Sequence, residues 1–90
     1  MNRYMLLTFC SNSGIEDPKF FVTQEEAVNG MCADVADFIG LTPEEVAEAR
    51  LEGKMIDNYT CVGEFYAWSD RHESCDWRIT KIDYGEDRNA

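Results

Sequence analysis

The stretch GEFYAWSDRHESCDWRITKID, residues 63–83, decides the fold of this chain. Two runs of aromatic and β-branched residues flank a polar segment, Ser69 to Asp76, and this pattern is typical of strands that pair across a turn. We therefore predict a β-hairpin. An isolated hairpin is only marginally stable in water, so this one is expected to pair with the N-terminal strand in a sheet.

The two arms of the hairpin predict different environments for the two faces of the sheet. On the second arm, Trp77 and Ile79 alternate with polar residues, so one face is expected to pack inward. On the first arm both alternating sets are apolar, with Tyr66 and Trp68 opposite Phe65. This pattern indicates that helices cover one face of the sheet and that the other keeps an exposed aromatic surface.

The N-terminal segments predict the remaining strands. Residues 3–10 (RYMLLTFC) are almost continuously apolar, which is typical of a strand that is central or covered on both faces. Residues 11–18 are polar and include Gly14, so we interpret them as a loop. Residues 19–22 (KFFV) are expected to form a short edge strand, and residues 54–62 are left open between a loop and an early strand.

Two capping boxes mark the starts of two helices. Thr23 with Glu26 precedes an apolar repeat at helical spacing, which predicts a helix over residues 24–39 that ends at Gly40. Gly30 lies inside this helix at a cost of about 1 kcal/mol relative to Ala, which is consistent with a close contact there.

The second capping box, Thr42 with Glu45, has Pro43 at the first helical position and predicts a helix to about Glu52. Gly53 ends it. The apolar face of this helix is thin, so we expect it to lie on the surface and present its carboxylates to water.

These elements predict a single α+β domain over residues 1–90, with residues 84–90 as a frayed tail. Two helices pack on one face of a small, mostly antiparallel sheet of three to four strands. The expected order is β-(β)-α-α-β-β, where the bracketed strand is the short segment 19–22.

The net charge of the chain limits the classes of partner that it can bind. Its net charge of −10 argues against direct binding to nucleic acid and to anionic membranes, and favours a basic protein partner. The segment Tyr4–Cys10 is too short to span a bilayer and weak as a signal sequence, so we predict a cytoplasmic protein. The four scattered cysteines are expected to be reduced thiols that pack as small hydrophobic residues.

The acidic residues are unevenly distributed, because residues 20–49 include seven of them and no Lys or Arg. On the second helix, Glu44, Glu48 and Glu52 recur every four residues, so their Cβ atoms lie about 6 Å apart on one face. This spacing resembles that of backbone phosphates and fits the basic groove of a nucleic-acid enzyme. The alternative is that these acids, Glu45 among them, only form the charged exterior of the helices and stabilise the helix starts.

His72 and Cys75 form a His-x-x-Cys pair in the predicted hairpin loop. Zinc sites usually have closely paired ligands, which are missing from this spacing, and neighbouring carboxylates would raise the pKa of a loop thiol rather than activate it. We interpret both residues as part of a solvated loop tip. We assign no catalytic residue, no metal ligand and no cofactor.

The segments KFFVTQEEAV (19–28) and AWSDRHESCDWRITKID (67–83) resemble small, uncharacterised acidic proteins carried by phages and conjugative elements of Firmicutes. The resemblance covers less than a third of the chain and assigns no functional residues. It implies an accessory protein from a mobile element that acts on another macromolecule, as inhibitors of nucleases do.

Three functions are therefore weighed. The leading hypothesis is a non-enzymatic acidic interaction protein in which Glu44, Glu45, Glu48 and Glu52 bind a basic protein surface, with nucleic-acid mimicry as its specific form. The alternative is a peptide-binding or homodimerising module anchored by the aromatic face of the hairpin, at Tyr66 and Trp68. A small metal- or thiol-dependent enzyme is the least favoured.

Overall fold

The computed structural model describes residues 3–53 and 55–82, which form two layers, a sheet and a pair of helices. The strands are β1 Tyr4–Cys10, β2 Gly14–Ile15, β3 Lys19–Phe21, β4 Met55–Asp57, β5 Thr60–Val62, β6 Tyr66–Ser69 and β7 Cys75–Lys81. The helices, α1 Gln24–Ile39 and α2 Pro43–Glu52, lie between β3 and β4 in the chain. The predicted α+β class with two helices is confirmed.

The seven strands form one open sheet in the order β2-β1-β7-β6-β5-β4, and β3 also pairs with β1. Every pairing is antiparallel. The centre of the sheet is the pair β1–β7, which is in register over seven residues from Tyr4↔Lys81 to Cys10↔Cys75. The N-terminal strand therefore pairs with the hairpin, as the hairpin's marginal stability required.

The core lies between the helices and one face of the sheet. Leu6 and Trp77, on the two central strands, are buried beneath Met31 and Val35 of α1. The remaining buried members of the core are Cys10, Cys32, Ala36, Ile39, Val46, Val62, Ala67 and Cys75. Most of the buried side chains on the helix-covered face are apolar, and the buried polar ones are Thr8, Thr60 and Ser69.

Both helices begin at the capping boxes that the sequence predicts. The Oγ1 of Thr23 accepts a hydrogen bond from Glu26 N, and the Oγ1 of Thr42 accepts one from Glu45 N. Each helix ends at a glycine in the left-handed conformation, with φ of 79° at Gly40 and 67° at Gly53. The predicted bounds of both helices are confirmed.

The predicted number of strands is too low. Four of the seven strands are only two or three residues long. Three of these, β2, β4 and β5, were not predicted, because they have too few residues for alternation to reveal them. The predicted loop 11–18 includes β2, and the open segment 54–62 includes β4 and β5. Strand β1 is central, but helices cover only one of its faces.

The hairpin loop is shorter than predicted, since Ser69, Cys75 and Asp76 belong to strands. Ser69 was assigned to the loop because it is polar, but it belongs to a buried polar pair. Its Oγ lies 2.8 Å from the Oγ1 of Thr60 on the neighbouring strand, so a polar side chain occupies a buried position. The predicted frayed tail, residues 84–90, lies outside the described residues. No helix in the described ranges has the length and apolarity needed to cross a membrane.

Candidate interaction surface

The register of the strands assigns each side chain to one of two faces. Leu6 pairs with Ile79, and both belong to the helix-covered face, whereas Leu7 pairs with Arg78 on the opposite face. The second face has no helix over it in the described part of the chain. We call it the open face. Its strand residues are Met5, Leu7, Phe9, Ile15, Phe20, Met55, Cys61, Tyr66, Trp68, Asp76, Arg78 and Thr80.

The open face is unusually apolar for a surface. Five of its large hydrophobic side chains are between 44% and 68% exposed, and they come from five different strands. These five are Phe9, Ile15, Phe20, Met55 and Tyr66. Scattered exposed hydrophobic residues are ordinary, but a contiguous apolar patch marks an interaction site. Because register places these side chains on one continuous surface, they form such a patch.

Tyr66 is held on the open face by a glycine on the preceding turn. Its ring lies directly against Gly63, where an added Cβ would collide with the ring carbons. The backbone fixes the same arrangement, because Gly63 N donates a hydrogen bond of 2.8 Å to Tyr66 O. The tyrosine ring is therefore positioned by the backbone and still exposes almost half of its surface.

Trp68 lies beside Tyr66 on the open face and is half-buried. It pairs with Asp76 of β7 on one side and with Cys61 of β5 on the other. Tyr66 and Trp68 both face away from the helices, and Ala67 between them is buried in the core.

Two charged residues, Asp76 and Arg78, interrupt the apolar surface at its centre. Both belong to β7, are exposed, and make no side-chain hydrogen bond or ion pair with any residue in the described ranges. Together with Leu7 and Phe9 they line a shallow hollow of about 290 Å³. The centre of the open face therefore has one unpaired charge of each sign beside a hollow.

The predicted acidic residues lie on the other side of the molecule, in the helical layer. Glu44, Glu45, Glu48 and Glu52 are all exposed on α2, which buries only Val46. The prediction that this helix lies on the surface is confirmed. Glu45 has a structural task, because its Oε1 accepts hydrogen bonds from the backbone N and the Oγ1 of Thr42.

The two predicted sets of site residues are therefore not brought together. Tyr66 and Trp68 belong to the open face, whereas the glutamates of α2 belong to the layer behind the sheet. A partner that binds one surface leaves the other accessible.

The interpretation of His72 and Cys75 as part of a solvated loop tip holds for His72, which is exposed in the β6–β7 loop, but not for Cys75. Cys75 is buried in β7 and forms a disulfide with Cys10, its cross-strand neighbour, at a Cα–Cα distance of 4.1 Å. The prediction of reduced thiols is wrong for these two residues, because pairing of β1 with β7 brings positions 65 residues apart into contact. His72 packs edge-on against Phe38, whose ring also contacts Trp77.

Glu73 lies close to the disulfide, with one carboxylate oxygen within 4.8 Å of both sulfur atoms. Its carboxylate already accepts hydrogen bonds from the backbone of Asn12 and Ser13 and from the hydroxyl of Ser13. Glu73 therefore ties the hairpin loop to the β1–β2 turn. With its oxygens used in this way and both sulfurs in a disulfide, this cluster has no spare ligand set for a metal.

Cys32 and Cys61 are the two cysteines without a disulfide. Burial against the core raises the pKa of the Cys32 thiol, and the nearby Arg50 guanidinium lowers it to a smaller extent. Cys32 is thus protonated and packs as a small hydrophobic residue, as the sequence predicts. Cys61 is half-buried on the open face, next to Trp68.

Sequence reasoning missed most of the open face. Phe9 and Phe20 were included in predicted strands and Met55 in the open segment 54–62, but which face they occupy depends on the pairing register of the sheet. The available signal was the lack of a third helix: two short helices cannot cover both faces of a sheet. Comparison of the chain with protein-family models, with curated proteins and with solved structures gives no match.

Proposed function

We propose that this chain is a non-enzymatic interaction module that binds another polypeptide through the open face of its sheet. One observation carries the proposal: five large apolar side chains from five strands, Tyr66 among them, lie exposed on one continuous surface. Contiguous apolar surface of this kind is costly to leave in water, at about 25 cal/mol per Å². Covering this apolar surface with a partner removes it from water and therefore lowers the free energy.

The chemistry of the open face specifies the partner. The face is rich in aromatic side chains and carries one cation and one anion, Arg78 and Asp76, among its strand residues. A matching surface is largely apolar and close to neutral, with one charge of each sign that can meet these two residues. Tyr66 and Trp68 are the anchors, because aromatic residues at the centre of an interface contribute most to affinity.

Site-specific photo-crosslinking tests this proposal. A benzophenone side chain replaces Tyr66 in one variant and Leu51, an exposed residue of α2 in the helical layer, in a control. We expect a crosslinked polypeptide from position 66 and none from position 51. Adding Phe9→Ser, also on the open face, should abolish the adduct. Equal crosslinking from both positions would refute the open face as the binding surface.

A second surface supports a second candidate, the acidic interaction that the sequence favours. Glu44 and Glu48 are exposed one helical turn apart and have no side-chain partner in the described part of the chain. With the net charge of −10, they favour a basic protein surface, such as the nucleic-acid-binding groove of an enzyme. Nucleic-acid mimicry is the specific form of this proposal.

Salt dependence separates the two candidates. Binding through Glu44 and Glu48 should weaken steeply between low and high salt, and the double change Glu44→Gln/Glu48→Gln should remove that dependence. Binding through the open face should not weaken steeply with salt. A complex that is insensitive both to salt and to the glutamine changes would refute the acidic candidate and leave the first one standing.

Two further parts of the proposal rest on the sequence. The resemblance to proteins of phages and conjugative elements supports an accessory role for a chain of this kind, and a cytoplasmic location is proposed with that role. In a reducing cytoplasm, Cys10 and Cys75 would be thiols held side by side by the seven-residue pairing of β1 and β7.

A further inference from the structure

We infer that the polypeptide which covers the open face is a second copy of this chain, so that the protein forms a two-fold symmetric dimer with its two sheets face to face. This inference rests on the proposed function, because it names the occupant of the same surface. The two helical layers then lie on the outside of the dimer.

The distribution of charge favours a second copy. The chain has a net charge of −10, so two copies repel each other wherever their acidic helical layers approach. The strand residues of the open face include one acid and one base, Asp76 and Arg78, and no other charge. It is the surface through which two such acidic chains can meet at the lowest electrostatic cost.

The two charges are also self-complementary. Asp76 and Arg78 are two residues apart on β7, so their Cα atoms are about 7 Å apart along the strand. A two-fold axis that lies in the interface and crosses β7 at right angles near Trp77 places Asp76 of each copy opposite Arg78 of the other. Asp76 and Arg78 have no side-chain partner in the described part of a single chain. In the dimer each of them pairs with the opposite charge of the other copy, which gives two ion pairs per dimer.

The size of the open face is sufficient for a dimer of modest affinity. Seven residues of β1 span about 23 Å, and six strands side by side span about 24 Å, which gives about 500 Å² in projection. Two copies would bury on the order of 1,000 Å² or more, near the lower limit for a biological interface. The hollow beside Leu7 and Phe9 accepts an apolar side chain of the second copy.

Sedimentation velocity over a concentration series, combined with a charge swap on β7, tests the inference. The wild-type chain should pass from 10.3 kDa toward twice that mass as its concentration rises. Arg78→Asp places two acids opposite each other at both pairs and should raise the dimer dissociation constant by about tenfold or more. The double variant Asp76→Arg/Arg78→Asp restores opposite charges and should dimerise as the wild type does.

Lys81→Asp is the matched control, because it changes the charge of the same strand by the same amount on the helix-covered side. It should dimerise like the wild type. Alkylation of Cys61 on the open face gives a second readout, and its rate should fall as the dimer forms.

The failure of this inference is distinguishable from failure of the proposed function. A wild-type chain that stays monomeric up to about 200 μM overturns the dimer. The dimer is also overturned if Arg78→Asp loses association and the double variant Asp76→Arg/Arg78→Asp does not restore it. If that monomer still crosslinks a different polypeptide through position 66, the proposed function stands with another occupant. If position 66 yields no adduct, both are refuted.

Discussion

The ring of Phe21 on β3 lies against Gly30 in the middle of α1, so close that a Cβ at position 30 would be 2.7 Å from the ring's Cζ. The contact fixes α1 over the edge of the sheet. It also explains the glycine, which the sequence alone marks as a cost to the helix or a close contact. Helix propensity and packing therefore make opposite demands at this position.

Replacing this glycine tests which demand is larger. Gly30→Ala gains about 1 kcal/mol of helix propensity but forces the Phe21 ring to move, at a cost of about 1–3 kcal/mol for overpacking. We expect a net loss of stability in urea unfolding. In a Phe21→Ala background, Gly30→Ala should stabilise the protein. The control is Asn29→Ala at the exposed neighbouring position, which should be neutral or stabilising both in the wild type and in the Phe21→Ala background. Stabilisation of the wild type by Gly30→Ala would contradict the contact.

The Cys10–Cys75 disulfide predicts a pattern of thiol chemistry. In the unfolded, oxidised chain, two thiols, Cys32 and Cys61, should react with an alkylating agent. After reduction all four cysteines should react, and mass spectrometry distinguishes the two products. A cross-link between residues 65 apart stabilises by about 4 kcal/mol in the chain-entropy model. Cys10→Ser/Cys75→Ser should therefore lower the urea midpoint, and reduced wild type should match it. Four reactive thiols without reductant would refute the disulfide.

The buried pair Thr60 and Ser69 predicts non-additive mutational effects. Their hydroxyls lie 2.8 Å apart between β5 and β6, and both residues are buried. Ser69→Ala leaves the Thr60 hydroxyl without this partner and should cost about 1–3 kcal/mol. Thr60→Val/Ser69→Ala removes both polar groups and should recover much of that loss. Additive losses in a double-mutant cycle of urea unfolding would contradict the pairing.

The Cys32 thiol predicts a loss of stability at alkaline pH. Burial raises its pKa in the folded state, so the unfolded chain releases this proton at a lower pH than the folded chain does. Stability from this group is complete below the ordinary thiol pKa and is lost as pH rises through the raised value. The difference in unfolding free energy between wild type and Cys32→Ala should shrink over that range. A difference independent of pH would contradict the shift.

The sequence predicts the helices well because their signals are local. Thr23, Thr42 and the glycines at 40 and 53 act within one turn of chain, and each has the predicted role. The sheet is predicted less completely, since two-residue and three-residue strands such as β2 exist only through pairing with distant partners. The disulfide and the extent of the open face were missed for the same reason. Both follow from the register of β1 against β7.

The contact between Gly63 and Tyr66 connects the fold to the open face and predicts that a change in the backbone alters binding. The tyrosine ring occupies the space of a Cβ at position 63, so Gly63→Ala must displace the ring. Because glycine has no side chain, the loss cannot come from a side-chain contact that Gly63 itself makes with a partner. We expect stability to fall by about 1–2 kcal/mol and dimerisation to weaken together with it.

A second variant separates these two effects. Tyr66→Ala removes the ring, so Gly63→Ala in that background should restore no affinity but should no longer cost stability. Urea unfolding and sedimentation velocity on the four chains of this cycle measure both quantities. If Gly63→Ala weakened dimerisation equally with and without the Tyr66 ring, the glycine would act on binding by another route. A coupling confined to the chains that keep Tyr66 means that the backbone holds this ring in place for a partner.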